Sequence, residues 1–443
     1  MSTLKVLVAT LWLLGKSKCP FNIQIRNNSS LTFFLACAFN RGGAAGSGSS
    51  VVTESQAYAL FITGTVLASW DTHAGKESGA DRSAVMNAFE GYFNFWKKMC
   101  QNSVGGSTCQ SGGNYCYDET KNAYSVCLPD WKQKKDGSAV EGTGPAPDGD
   151  EDAIVGIILA VKAVENDSVK PSWYNEARKW ADASATAFFE FNVDDSRGDH
   201  RLVKLGACWG GWDSSGNNPS YHSPGSYKVM RDFQKTFPGA DRNGYQKYSN
   251  NEWNKLIDTS HEVLRAVQCS NEGAMVPNWA TVSVANNGQI KHSGGSFSGS
   301  GTPQYEYGAE AARTTWRVAL DAALYPDESA DWAEYLDPYL VRLRDGHTGN
   351  GDRYWGNTFS NCRTPNTSQD ISIFNSWLYN AFIYAPTLSA LIVGAPEDAG
   401  LVDDAGSLLA SSLPNDYYPR CWALLGNLML NGAMESAGAN ALH

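Results

Sequence analysis

Apolar residues recur at helical spacing along most of this chain, in segments covering about 51–69, 84–99, 152–165, 173–191, 224–236, 252–268, 308–325, 330–344, 368–393 and 415–434. Side chains three and four positions apart share a helix face, so each segment offers an apolar stripe that a neighbour must cover. Strand-type alternation is scarce. Polar start signals precede several segments: Ser172 before Trp173, Asn250 and Asn251 before Trp253, and Asp416 before Tyr417. Polar, Gly-rich loops separate the segments, the longest at 101–150, 193–222, 270–307 and 345–367. Loops of that length are usually functional. No linker-like stretch divides the chain. The expectation is an all-α architecture in one domain over 19–443, a toroid of helical pairs with its long loops gathered at one end.

Composition removes several function classes. The 443 residues are 42% hydrophobic and 18% charged, which excludes a disordered or membrane-embedded chain. A net charge of −11 excludes a basic face for nucleic acid. The 15 Trp and 20 Tyr suit a protein that stacks flat, hydroxyl-bearing ligands, although Trp96, Trp180 and Trp316 fall at helical core positions.

Residues 1–18 carry a Lys followed by an apolar run from Val6 to Leu14, as a signal peptide does, and the run is too short to span a bilayer. Of the 10 cysteines, Cys100, Cys109, Cys116 and Cys127 crowd into one Gly/Ser-rich stretch, without paired CxxC spacing and without His. Disulfides within that 100–127 loop are expected, and with them an oxidising, extracellular setting. Sequons at Asn28, Asn166 and Asn366 agree with secretion.

The densest charge lies in "APDGDEDAIVGIILAVKAV", where Asp148, Asp150, Glu151 and Asp152 open an apolar helical run. A metal, a helix start and a substrate each could use them. Asp148-x-Asp150-x-Asp152 opens like a calcium loop, but the sixth and twelfth places are Ala153 and Leu159 instead of Gly and Glu, so no metal is expected. Acids at a helix start are favourable by roughly 0.3–1 kcal/mol each. Asp150 to Asp152 are expected to serve the helix, leaving Asp148 free to face a cleft.

Two further carboxylates stand in suggestive settings. Glu54, in "VVTESQAYALF", begins an apolar helix; the plain reading is a first-turn glutamate. Glu310, in "YEYGAEAARTTWRVALDAALY", shares a helical face with Arg313 and Arg317, which as a plain reading is an i,i+3 ion pair. A carboxylate beside Arg and aromatics such as Tyr307, at the end of a long loop, is also how a tuned acid or base looks. Trp209 and Trp212 sit in the loop "CWGGWDSSGNNPSYHSP", where both resist burial and suit sugar stacking. His222 is expected to be a hydrogen-bonded structural histidine.

Taken in order, "TESQAYA" at 53–59, "DGDEDAIVGIILA" from Asp148, "NPSYHSP" at 218–224 and "AEAARTTWR" at 309–317 resemble the motifs of glycoside hydrolase family 8, which includes endoglucanases, chitosanases and xylanases. "DTSHEVLRA" at 258–266 and "VPNWA" at 276–280 add to the likeness. The resemblance implies an (α/α)6 barrel and inverting hydrolysis of β-1,4-linked sugars, without cofactor. It implies Glu54 as general acid, Asp148 as the aspartate that meets the sugar, and the carboxylate at 310 as general base. Arg313 and Tyr221 then stand beside the reaction centre. Two departures touch the base: Glu310 stands where the family has Asp, and Ala309 where it has Tyr. The first helix motif is also poorly matched over 20–50.

An inverting endo-β-1,4-glucanase acting as a monomer on a polysaccharide, with no nucleic-acid or membrane partner, is the leading expectation. Chitosanase and endo-xylanase remain open within the class. A cyclase on an α/α barrel would show Asp-x-Asp-Asp, and Glu151 occupies the fourth place. A non-catalytic glycan-binding descendant is the remaining alternative.

Overall fold

The computed structural model describes residues 50–74, 81–103, 125–134, 139–236, 248–269, 275–295, 307–329, 332–336, 381–394 and 417–442, with a few short pieces between them. Its longer helices are α1 (Thr53–Ala68), α2 (Arg82–Ser103), α3 (Pro147–Val164), α4 (Tyr174–Asn192), α5 (Pro224–Lys235), α6 (Asn250–Ala266), α7 (Ala309–Leu324), α8 (Ala381–Ser389), α9 (Tyr417–Leu430) and α10 (Ala433–Ala441). The apolar periodicity locates most of them within a few residues. Segment 330–344 is described as helix only over 332–336, and 368–393 only from Ala381 onward.

Six of these helices close a ring: α1 packs on α3, α3 on α5, α5 on α7, α7 on α8, α8 on α9, and α9 returns to α1. Helices α2, α4 and α6 pack outside α1, α3 and α5 respectively. This is an (α/α)6 barrel. The inner position of α1 is written in its composition, because it is apolar all round and every residue except Glu54 is buried. Where α1 and α3 touch, both backbones demand glycine. A Cβ on Gly64 would lie 2.2 Å from the Gly156 carbonyl oxygen, and one on Gly156 would lie 2.4 Å from the Leu60 carbonyl carbon.

The two ends of the ring are made differently. Segment 415–434 breaks where Gly432 takes φ 78°, and the chain turns into α10. That helix seals the C-terminal end of the ring: Asn440 Nδ2 donates to the Ala68 carbonyl at 3.2 Å, and Gly438 sits against the backbone of Leu324. The N-terminal ends of α1, α3 and α7 stay at the opposite mouth.

The loops hold short hairpins that alternation over longer windows does not reveal: Val193–Arg197 with His200–Val203, and Ala280–Val284 with Ile290–Gly294. A third small sheet pairs Lys132–Lys134 with Ser50–Val52 and Val140–Gly142. It leads straight into Glu54.

The cysteine expectation needs correction at Cys100, a free thiol buried on α2 against the core. Cys109 lies outside the described residues, and the backbones of Cys116 and Cys127 face each other in a two-stranded hairpin. Cys208 and Cys269, outside the cluster, are disulfide-bonded. Trp96, Trp180 and Trp316 are core residues, as their helical positions require.

Candidate active site

The mouth of the ring gathers the first turns of α1, α3 and α7. Glu54 opens α1 and Asp148 follows Pro147, which sits in the first turn of α3 where its missing N–H costs nothing. Asn278 fixes the start of α7, its Oδ1 accepting from Gly308 N and Ala311 N, both at 3.1 Å. Glu310 is therefore presented on a capped helix end.

Arg313 joins all three acids. Its Nη1 donates to Glu54 Oε1 at 2.9 Å and to Asp148 Oδ2 at 2.8 Å, while Nη2 donates to Glu310 Oε2. The i,i+3 pair read from sequence exists, but it is one arm of a buried clamp between helices that are far apart in the chain. The Arg313 guanidinium lies over the Tyr221 ring, 5.5 Å from its centroid, and its side chain is only 4% exposed. Glu54, Asp148, Glu310, Arg313 and Tyr221 thus form one constellation.

Charge does not balance there: three carboxylates share one guanidinium. Burial pushes Glu54 up to about 8. Arg313 opposes that shift, the Asp148 charge adds to it, the Tyr58 hydroxyl bond opposes it, and the Glu310 charge adds a little. Glu54 is the group that keeps a proton near neutral pH. Tyr58, one turn further along α1, donates its hydroxyl to Glu54 Oε1 and is itself held as a phenol by burial and the nearby Glu54 charge.

One turn deeper, the arrangement repeats with a different outcome. Arg317 clamps Asp152 through two nitrogens, with Nη2 to Oδ2 at 3.0 Å, and lies 3.1 Å from Glu151 Oε1. Asn192 Nδ2 donates to Asp150 Oδ2 at 2.8 Å. The expectation that Asp150 to Asp152 serve the helix start is corrected: all are buried and bind other helices, so they fasten α3 to α7 and α4. Burial pushes the carboxyls of Asp150, Glu151 and Asp152 up. Among the described residues, no group of His, Cys, Asp and Glu could hold a metal ion.

The aromatic expectations divide. Trp209 stays half-buried, its ring against Gly206 and near Gly144, on the strand-turn that enters α3. Trp212 is corrected to a packing residue: it is 8% exposed and its Nε1 donates to the Asp194 carbonyl at 3.2 Å. Adjacent glycines at φ 78° and 98° let the loop fold that ring under the hairpin. Tyr307 is likewise corrected. It is 1% exposed, and its hydroxyl lies 3.2 Å from Thr387 Oγ1 on α8, in the core.

His222 is structural as expected, with Nδ1 3.1 Å from Ser260 Oγ and Nε2 3.2 Å from Asn217 Oδ1; burial brings it down to about 3, so it stays neutral. Sequence reading gave no role to three residues here, although Tyr58 stands close to Glu54 in its motif. Tyr58 donates to Glu54, Asn218 Nδ2 donates to Glu310 Oε2 at 2.8 Å, and half-buried Trp131 accepts at its carbonyl from Thr53 N at 2.9 Å. The first two stand inside the quoted motifs, so position alone could have raised them.

A family model described as "Glycosyl hydrolases family 8" matches residues 114–351. Endoglucanase A of Acetivibrio thermocellus is 28% identical over 260 residues, which is 57% of this chain and 42% of that protein. Endoglucanase C of Ruminiclostridium cellulolyticum is 25% identical over 246 residues, 53% of this chain and 45% of that protein. The matches thus span less than half the length of these relatives. Among solved structures, a β-1,3-1,4-glucanase from Paenibacillus sp. X4 aligns with TM-score 0.59 at 17% identity, covering 87% of this chain and 84% of that one. Rex8A from Paenibacillus barcinonensis, complexed with xylose, aligns with TM-score 0.53 at 15% identity, covering 87% and 83%. Both likenesses concern the fold.

Proposed function

Because the chain belongs to glycosyl hydrolase family 8, we propose that it is an endo-acting, inverting hydrolase of β-1,4-glucan, with Glu54 as general acid and Glu310 as general base. The observation that carries this reading is the pairing of two carboxyls through one guanidinium. They use separate nitrogens of Arg313, and burial leaves the Glu54 proton in place up to about 8.

Inversion needs a protonated carboxyl at the leaving oxygen and an ionised one holding water on the opposite face, the two roughly 6.5–9.5 Å apart. A guanidinium between the partners keeps them from contacting each other. It also gives Glu310 Oε2 a cationic donor, while burial keeps the proton on Glu54 near neutral pH. Asp148, with Oδ1 accepting from Gly149 N at 2.8 Å and Oδ2 from Arg313, is a fixed acceptor wall facing the bound sugar. As the glycosidic bond breaks, Glu54 hands its proton to the departing oxygen, and Glu310 takes one from the attacking water. Half-buried Trp209 and Trp131 stand beside the entrance to α3, where a sugar could stack on them.

The endoglucanase names of the relatives favour glucan, and the signal-like start favours an extracellular enzyme. Incubation with carboxymethylcellulose, barley β-glucan, chitosan and xylan, followed by a reducing-end assay, tests the reading. Fastest release from a β-glucan is expected. Faster release from chitosan or xylan would move the substrate, and no release from any of them would refute the activity.

A further inference from the structure

The bonds around the two carboxyls are one-sided. Both donors to Glu54, Tyr58 and Arg313, land on Oε1. Both donors to Glu310, Asn218 and Arg313, land on Oε2. Among the described residues nothing donates to Glu54 Oε2 or Glu310 Oε1, although the Glu310 side chain is 24% exposed. Each carboxyl therefore has one oxygen held by the protein and one left open.

Asn218 is oriented with unusual completeness. Its Oδ1 accepts from Ser220 N at 3.0 Å and from Ser220 Oγ at 2.8 Å, which fixes the amide so that Nδ2 must point away, to Glu310. The following turn, Pro219–Tyr221, is buried, and Tyr227 ties it down by donating to the Tyr221 carbonyl at 2.6 Å. A residue that only capped this turn would need its oxygen alone.

We propose that Asn218 is a positioning residue for the base: it locks Glu310 Oε2 and thereby makes Oε1 the atom that takes the proton from water. This rests on the reading of Glu310 as general base. In that step a lone pair of the water oxygen forms the new bond to the anomeric carbon, and the water proton passes to Glu310 Oε1 while its O–H pair stays on oxygen. The glycosidic C–O pair goes to the leaving oxygen, which is protonated by the open oxygen of Glu54, Oε2. Glu310 carries one methylene more than the aspartate expected at this place, so an unheld carboxylate would sweep a wider arc. Asn218 removes that freedom.

Asn218→Asp separates positioning from capping. Aspartate keeps the oxygen that accepts from Ser220 but replaces the donor by an anion facing Glu310. Near neutral pH, kcat on barley β-glucan should fall about a hundredfold, the scale of a misplaced reacting group, with KM little changed. Ser220→Ala, which removes one of the two bonds that set the amide, should lower kcat less and in the same direction. A crystal structure of Asn218→Asp should find Glu310 swung off its present pose. Wild-type kcat in Asn218→Asp, or an unmoved Glu310, would overturn the proposal. A wild-type enzyme inert on every polysaccharide would instead refute the catalytic reading, and the Glu310 pose would still decide whether Asn218 positions it.

Discussion

Helices α3 and α7 meet twice through the same pair of residue types, one turn apart. At the mouth, Asp148 faces Arg313; four residues deeper on both helices, Asp152 faces Arg317. The deep pair is sealed, with side chains 1% and 0% exposed, and its guanidinium is used bidentately on one acid. The mouth guanidinium divides itself among Glu54, Asp148 and Glu310, and two of those carboxyls keep an open oxygen. The same pair of residue types is sealed in the deep layer and partly open at the mouth, where the Glu54 and Glu310 side chains are 15% and 24% exposed. Both layers hold more acids than cations, so access from the mouth makes that difference.

The largest effect expected from breaking the mouth is on turnover. Glu54→Gln and Glu310→Gln should each lower kcat by about 10²–10⁴-fold, the range for lost acid–base catalysis, while circular dichroism and thermal midpoint stay near wild type. If Glu310 merely paired with Arg313, its change would cost only roughly 0.2–0.5 kcal/mol. Glu310→Asp should keep measurable activity.

Breaking the deep pair should do the reverse. Arg317→Met leaves Asp152 and Glu151 buried without their cation, a loss of about 3–5 kcal/mol of folding stability. Urea unfolding should report it, with activity of the remaining folded fraction largely retained. A stable Arg317→Met protein with abolished turnover would erase the contrast between the layers.

The contrast also has a pH signature. Glu54 titrates at about 8 when folded, raised chiefly by burial, against 4.5 ordinarily. The folded state therefore holds a proton that the unfolded chain releases earlier. The associated stability is present below the ordinary glutamate value and is lost as pH rises through about 8. Glu54→Gln should flatten that decline in a thermal-shift series. In wild type, kcat/KM should fall on the alkaline side near the same value, and Tyr58→Phe, which removes a bond that lowers it, should move that limb to higher pH. A smaller effect separates the two loop tryptophans. Trp209→Ala should weaken substrate binding by about 0.5–1.5 kcal/mol, the scale of an aromatic contact, as a raised KM without a lower thermal midpoint.

Much of this is legible in the sequence. Helical periodicity reports burial on one face, so the inner and outer helices announced themselves, and Glu54, Asp148, Glu310 and Arg313 sat in ordered motifs. What stayed hidden depended on contacts between distant positions. Nothing local to Asp152 says that Arg317, 165 residues on, will neutralise it, so its charge looked like a helix-start preference. Trp212 and Tyr307 looked available because loops are usually exposed, yet a glycine pair and a partner on α8 bury them. The hairpins were missed because strands of four or five residues give alternation too little length.

The central claim is that Glu54 and Glu310 act on opposite faces of one sugar, and product stereochemistry tests it most directly. Proton NMR of the anomeric signals, recorded in the first minutes of hydrolysis of a β-1,4-gluco-oligosaccharide by the wild-type enzyme, should register the α-anomer before mutarotation supplies the β-anomer. Initial appearance of the β-anomer would mean that configuration is retained, and that Glu310 is not a base holding water opposite Glu54.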